Sequence, residues 1–220
     1  MTASLPQETT TKSRRPYALV IFDMDGTLTE ELLDFAAIRA EIGLPEKAPI
    51  LEHLATLPAS ERVRAEEILH RHEMVAAAKC RPQEGAAEVL AELKGRGVAT
   101  ALLTRNSTTC AQSVLARHKL ELDVVATREQ IPHKPHRDSI LNIVRRLRIS
   151  AEQTLMVGDY LYDVQTARNA GVDCALFCKP GPLPEFAGLA TYTIRQLREV
   201  LELVDGQRVG RSDERQTSGI

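Results

Sequence analysis

Five apolar residues, Ala18 to Phe22, run directly into Asp23-Met24-Asp25-Gly26-Thr27-Leu28. An apolar run of that length reads as a buried strand. Two carboxylates then stand two apart where the strand ends, and Gly26 permits a sharp turn away from it. In an open α/β sheet, ligands bind in the crevice beyond the carboxyl ends of the strands. Asp23 and Asp25 are therefore expected to face a site rather than a core. Their spacing suits a division of labour in which one carboxylate attacks and its neighbour moves protons. Two plainer readings compete. A calcium loop also opens Asp-x-Asp-Gly, but it needs a flanking helix and a Glu at the twelfth position, where this chain has Asp34. An Asp-Gly hairpin turn is the other.

Downstream, apolar runs alternate with helical patterns. Strands are expected at 17–22, 98–103, 123–126, 154–157 and 174–177, the last being the final core strand. Helices are expected at 85–93, 108–118, 137–148 and 161–170, with a short one at 194–204. Alternation of this kind predicts an α/β fold with a doubly wound parallel sheet. Residues 30–81 interrupt it with an all-helical insert after the first strand. Leu32, Leu33, Phe35, Ala36, Ile38 and Ile42 mark one amphipathic helix, stopped near Gly43. Ile50, Leu51, Leu54 and Leu57 mark a second. A third opens at Ser60, which has N-cap chemistry, with Glu61 in its first turn. The α/β core then comprises 16–29 and 82–205. The polar lead, 1–15, and the tail, 206–220, are expected to be disordered. Glu8 and Pro6 argue against a mitochondrial presequence in the lead.

Charge narrows the partners. Twenty-eight basic residues against 30 acidic ones leave a net charge of −2, which gives no reason to expect nucleic acid or an anionic membrane. No apolar run approaches the ~20 residues of a membrane span. Cys80, Cys110, Cys174 and Cys178 lack paired zinc spacing, so reduced thiols and a cytoplasmic location are expected.

Three further strand exits carry polar chemistry. Thr104 offers a hydroxyl, and Asn106 and Ser107 follow at a helix start, a natural cradle for an anion. Arg105, in the same loop, is a candidate phosphate ligand. Lys134 precedes Pro135, which stiffens its loop at a helix start. Asp159 and Asp163 stand four apart across a strand exit and the first turn of a helix, so both can face one site. Singly, these are a cap, a surface lysine and a turn. In order, and each at a strand end, they assemble a nucleophile, a donor, a cation and an acidic metal site.

Together these residues resemble the haloacid dehalogenase superfamily, mostly phosphatases that use aspartate, and within it the phosphoglycolate-phosphatase-like branch with a small helical cap. Asp23-Met-Asp-Gly-Thr-Leu looks like the first motif, Thr104 the second, Lys134 the third, and Gly158-Asp159-Tyr-Leu-Tyr-Asp163 the fourth. The likeness spans about 17–180, and the insert lies where the family's cap belongs. The resemblance implies that Asp23 attacks a phosphomonoester and Asp25 serves as acid and base. Thr104, Arg105 and Lys134 would bind phosphate. Asp23, Asp159 and the backbone carbonyl of Asp25 would hold Mg²⁺. Gly26, Thr27, Asn106 and Asp163 would support them, Asp163 through a metal-bound water or through Lys134. An acid at position 25 favours phosphate esters over dehalogenation. A phosphomutase of the beta-phosphoglucomutase type and a non-catalytic phosphate-ligand or protein binding module are the alternatives. The expected partner is a small phosphorylated substrate, with monomer or dimer left open. In the insert, Glu30, Glu31 and Arg39 are candidates to face the leaving group. His70, His72 and Glu73 read as polar surface, because adjacent residues do not share a helix face.

Overall fold

A computed structural model describes residues 17–206; the expected disordered lead and all of the tail beyond Gly206 lie outside the described residues. Six strands form one sheet: β1 (Leu19–Phe22), β2 (Ala99–Leu103), β3 (Val124–Ala126), β4 (Thr154–Gly158), β5 (Asp173–Phe177) and β6 (Tyr192–Ile194). Their spatial order is β3-β2-β1-β4-β5-β6, and every pairing is parallel. The order reverses at β1, so its C-terminal end opens onto the crevice where doubly wound sheets bind ligands.

Parallel strands need helical crossovers, which cover both faces of the sheet. On one face, Val20 and Phe22 of β1 pack with α4 (Ala86–Gly95), α5 (Thr108–His118) and α8 (Glu199–Val204). On the other, Leu19 and Ile21 pack with α6 (Asp138–Leu147) and α7 (Leu161–Ala170). All four residues of β1 are fully buried, as an uninterrupted apolar run requires. Cys174 and Cys178 lie in the second of these cores and Cys110 in the first, all as free thiols.

Three helices fill the stretch between β1 and α4: α1 (Phe35–Ile42), α2 (Ile50–Leu54) and α3 (Ala59–Lys79). Ile38, Ile50, Leu54, Ala65 and Leu69 give them a small core of their own. The chain leaves and re-enters the sheet side by side. Glu30 N–H donates to the carbonyl of Arg81, and Gln83 N–H to that of Leu28, each at 2.9 Å.

Several expected boundaries shift for identifiable reasons. Asp34 accepts from the Ala37 N–H at 2.9 Å and so caps α1, leaving Leu32 and Leu33 outside the helix. Ser60 caps nothing: α3 begins at Ala59 after Pro58, and no side chain bonds its first turn. The expected helix at 194–204 is in part a sixth strand. Tyr192–Ile194 pairs with β5, and only Glu199–Val204 is helical. Short 3-10 turns at Ala151–Gln153 and Glu185–Leu189 join the elements. Among the described residues, no helix is long and apolar enough to cross a membrane.

Candidate active site

The turn after β1 is tightly wound. Met24 carbonyl accepts the N–H groups of Leu28 and Thr29 at 2.9 Å and the Thr29 hydroxyl at 3.2 Å. Gly26 has φ of 81°, a conformation that disfavours any side chain. It also has no room for one: a Cβ there would sit 2.1 Å from Asp159 Oδ2. The turn from β1 and the exit from β4 are thus pressed together, and Thr27 Oγ1 donates to Asp159 Oδ1 across the contact at 3.3 Å. Gly158, which ends β4, is confined in the same way, since a Cβ would lie 2.2 Å from the Asp163 carboxyl carbon.

Lys134 arrives from the loop before α6 with its side chain almost wholly buried. Its Nζ donates to Asp23 Oδ1 at 2.5 Å and to Asp163 Oδ1 at 2.6 Å. Asp163 is fully committed, because its Oδ2 accepts the Tyr160 N–H at 3.0 Å. Asp23, Asp159 and Asp163 each bring a carboxylate oxygen to within 4.8 Å of the others. Three acids therefore crowd round a single lysine. Burial is the main force pushing Asp23 well above the usual carboxylate range; Lys134 opposes it, while Asp163, Asp159 and Asp25 add to it. Asp159 is pushed up to about 7 by burial, then by the charges of Asp163 and Glu31. Burial pulls Lys134 down, but the charges of Asp163 and Asp23 and its hydrogen bonds to both leave it raised, so it stays an ammonium. Excess negative charge on closely spaced oxygen donors suits a hard divalent cation such as Mg²⁺.

Asp25 stands apart from this cluster. Its Oδ2 accepts from Asn106 Nδ2 at 2.6 Å. Burial pushes it up to about 6, with the Asn106 bond partly holding it down. A carboxyl in that range can both give and take a proton near neutrality. Asn106 is placed by the loop after β2: its N–H donates to Thr104 Oγ1 at 3.1 Å, and Ser107 next to it caps α5. Thr104 is buried and lines one cavity with Asp23, Asp25, Lys134 and Asp159, its hydroxyl proton still available to a ligand.

Two expectations change. Arg105 does not stand free for phosphate. It bonds both carboxylate oxygens of Glu52 on α2 at 2.9–3.0 Å, donates to the Lys134 carbonyl, and lies 4.5 Å over the Tyr162 ring. Glu73 is not surface. It is 1% exposed, pairs with Arg128, and accepts from Ser107 Oγ at 2.8 Å, tying α3 to the loop that carries Asn106. His72 does lie at the insert's surface, bonded to Glu41 at 2.8 Å. Of the insert candidates, Glu31 and Arg39 line the cavity with the sheet-end acids; Lys47, Tyr160 and Tyr162, not singled out from the sequence, do so too. The cavity holds about 270 Å³.

Known proteins resemble this chain over most of its length. The family model described as haloacid dehalogenase-like hydrolase matches residues 34–177. An uncharacterised hydrolase of Saccharomyces cerevisiae is 31% identical over 84% of this chain and 89% of its own length. An N-acetylmuramic acid 6-phosphate phosphatase of Pseudomonas aeruginosa is 27% identical over 84% of this chain and 94% of its own. A solved hydrolase of the same superfamily from Geobacter sulfurreducens superposes with a TM-score of 0.62 over 88% of this chain and 99% of its own, at 23% identity.

Proposed function

Because the chain belongs to the haloacid dehalogenase-like hydrolases, we propose that it hydrolyses a small phosphomonoester through an aspartyl-phosphate on Asp23. The observation that carries the reading is Lys134 Nζ, shared between Asp23 at 2.5 Å and Asp163 at 2.6 Å with Asp159 beside them. That contact fixes one oxygen of Asp23 and leaves Oδ2 to attack phosphorus. Relatives named as phosphatases support the choice of substrate class.

The steps follow from the side chains. Asp23 Oδ2 bonds to phosphorus as the ester oxygen leaves. Asp25, protonated, gives its proton to that oxygen. It then takes a proton from a water that attacks the aspartyl-phosphate, which releases phosphate and restores Asp23. Lys134 and the Thr104 hydroxyl hold the phosphate oxygens, and Asn106 keeps Asp25 oriented. Asp163 positions Lys134, and Thr27 positions Asp159. Asp159 through Oδ2, Asp23 through the remaining lone pair of the Oδ1 that Lys134 holds, and the backbone carbonyl of Asp25 would hold the metal, which keeps Asp23 Oδ2 for phosphorus. Bound there, Mg²⁺ would supply Lewis-acid neutralisation of the phosphate charge. At ~4 Å and an effective dielectric of 20, two unit charges interact by ~4 kcal/mol, or roughly three decades in rate. The helical insert acts as a cap that walls the leaving group from water.

The test is p-nitrophenyl phosphate turnover by the full chain, with Mg²⁺, with EDTA, and with Asp23→Asn. Activity with Mg²⁺ that disappears in the other two conditions is expected. Turnover undiminished by Asp23→Asn would remove the mechanism.

A further inference from the structure

The cavity's charge is divided between its two ends. At the sheet end, Lys134 is paired with Asp23 and Asp163, which leaves one of its three N–H donors for the reacting phosphate alone. Arg105 is consumed by Glu52, and Glu31 at the rim faces Lys179 at 3.4 Å. Two cations of the lining remain, Arg39 on α1 and Lys47 in the loop that follows it. Neither has a carboxylate within ion-pair distance among the described residues.

Arg39 is held as a binding group would be. Its Nε donates to the Ala48 carbonyl at 2.8 Å and its Nη1 to the Phe35 carbonyl at 3.1 Å. Backbone acceptors therefore fix the plane of the guanidinium without neutralising it. The residue is half-buried and lines the cavity together with Tyr162 of α7. Partial burial of an unneutralised charge costs free energy that an anion in the cavity would offset. A guanidinium fork suits a carboxylate or a phosphate, and Lys47 adds a mobile point charge beside it. Leu33, Ile50, Leu51 and Leu69 contribute an apolar wall to the same cavity, which is large enough for more than one phosphate group.

Resting on the phosphatase reading above, we infer that the substrate carries a second anionic group, a carboxylate or a second phosphate. A short carbon skeleton separates it from the reacting phosphate, and Arg39 and Lys47 bind it. The sheet end selects for a phosphate ester, and the insert selects for what is attached to it.

Matched esters test this on the purified full chain with Mg²⁺. Phosphoglycolate against ethyl phosphate probes a carboxylate, and a hexose bisphosphate against the hexose monophosphate probes a second phosphate. The readout is the ratio of kcat/KM within each pair, for wild type, Arg39→Gln and Lys47→Gln. One charge-assisted bidentate contact corresponds to roughly 10- to 100-fold. Wild type is expected to prefer the member with the second anion in one pair by about that factor, and which pair identifies the group. Arg39→Gln is expected to lower the ratio at least about tenfold, mainly through KM, and Lys47→Gln less. Equal turnover of both members in both pairs, or a ratio that neither variant changes, would overturn the inference. Turnover of the esters that lack a second anion reports separately on the phosphatase reading: if they react as well as their partners, only the second-anion subsite fails. If no ester of either pair reacts, both fail.

Discussion

Glu73 joins the helical insert to the sheet, and removing it should be felt by the whole molecule. Its carboxylate is 1% exposed. It receives Arg128 Nη1, Arg128 Nη2 at 3.3 Å, Ser107 Oγ at 2.8 Å and the Ser107 N–H at 3.3 Å. Glu73→Ala leaves the guanidinium of Arg128, only 14% exposed, without a counter-charge. Breaking a buried pair from one side costs about 3–5 kcal/mol. Arg128 keeps its bond to the Arg105 carbonyl at 2.9 Å, so the lower end, about 3 kcal/mol, is expected. For a chain of this size that is a Tm lower by ~6–12 °C. Glu73→Met combined with Arg128→Met removes both charges and should cost less than the two single changes summed, by about 2 kcal/mol. Urea unfolding followed by circular dichroism measures each of these variants against wild type. A loss under ~1 kcal/mol for Glu73→Ala, the range of an exposed pair, would refute the buried-latch account and return Glu73 to the surface.

Other consequences are equally specific. Gly158→Ala drives a Cβ to within 2.2 Å of the Asp163 carboxyl carbon, so Lys134 loses its support; activity should fall ~100-fold or more, measured as kcat with the fold checked by circular dichroism, and near-wild-type kcat would contradict the contact. Asp25→Asn should cost ~10²–10⁴ on alkyl phosphates and much less on p-nitrophenyl phosphate, whose leaving group needs no proton; equal losses would deny Asp25 the acid role. Asp159 is raised to about 7, so the folded state holds a proton that the unfolded chain releases near pH 4. Metal-free stability should therefore fall as pH rises from about 4 to 7 and level off above, because there the folded state binds more protons than the unfolded one. Mg²⁺, which favours the ionised acids, should raise Tm more at pH 8 than at pH 5; thermal melts in EDTA and in Mg²⁺ that run parallel across that range would contradict the shared-acid site.

The sheet was legible because parallel strands buried on both faces are written as unbroken apolar runs, as at Leu19–Phe22 and at residues 155–157 of β4. The edge strand Tyr192–Ile194 was not, since three residues carry too little pattern to separate from the helix that follows. Glu73 was misjudged for a related reason. The 21-residue α3 turns Ala65 and Leu69 to the insert's own core but Glu73 and Ala77 to the sheet side. Its buried residues Ala65, Ile68, Leu69, Glu73, Ala76 and Ala77 share one stripe, but three of them are alanines and one is Glu73 itself, so the stripe is weakly apolar, and the partner that makes burial tolerable, Arg128, lies 55 residues away. Arg105 likewise looked free until Glu52 was brought to it by the insert. Motif residues at strand exits were readable because the sheet alone decides where they point. Residues whose role depends on the insert were not.

In the proposed reaction Asp23 is the nucleophile that bonds to phosphorus. Rapid acid quench of the protein during turnover of a phosphate ester, followed by peptide mass spectrometry, tests this directly. A phosphoryl group on the peptide containing Asp23, lost under hydroxylamine and absent from Asp23→Asn, is the predicted result. Full turnover with no such adduct at any quench time, or with the adduct on another residue, would contradict it.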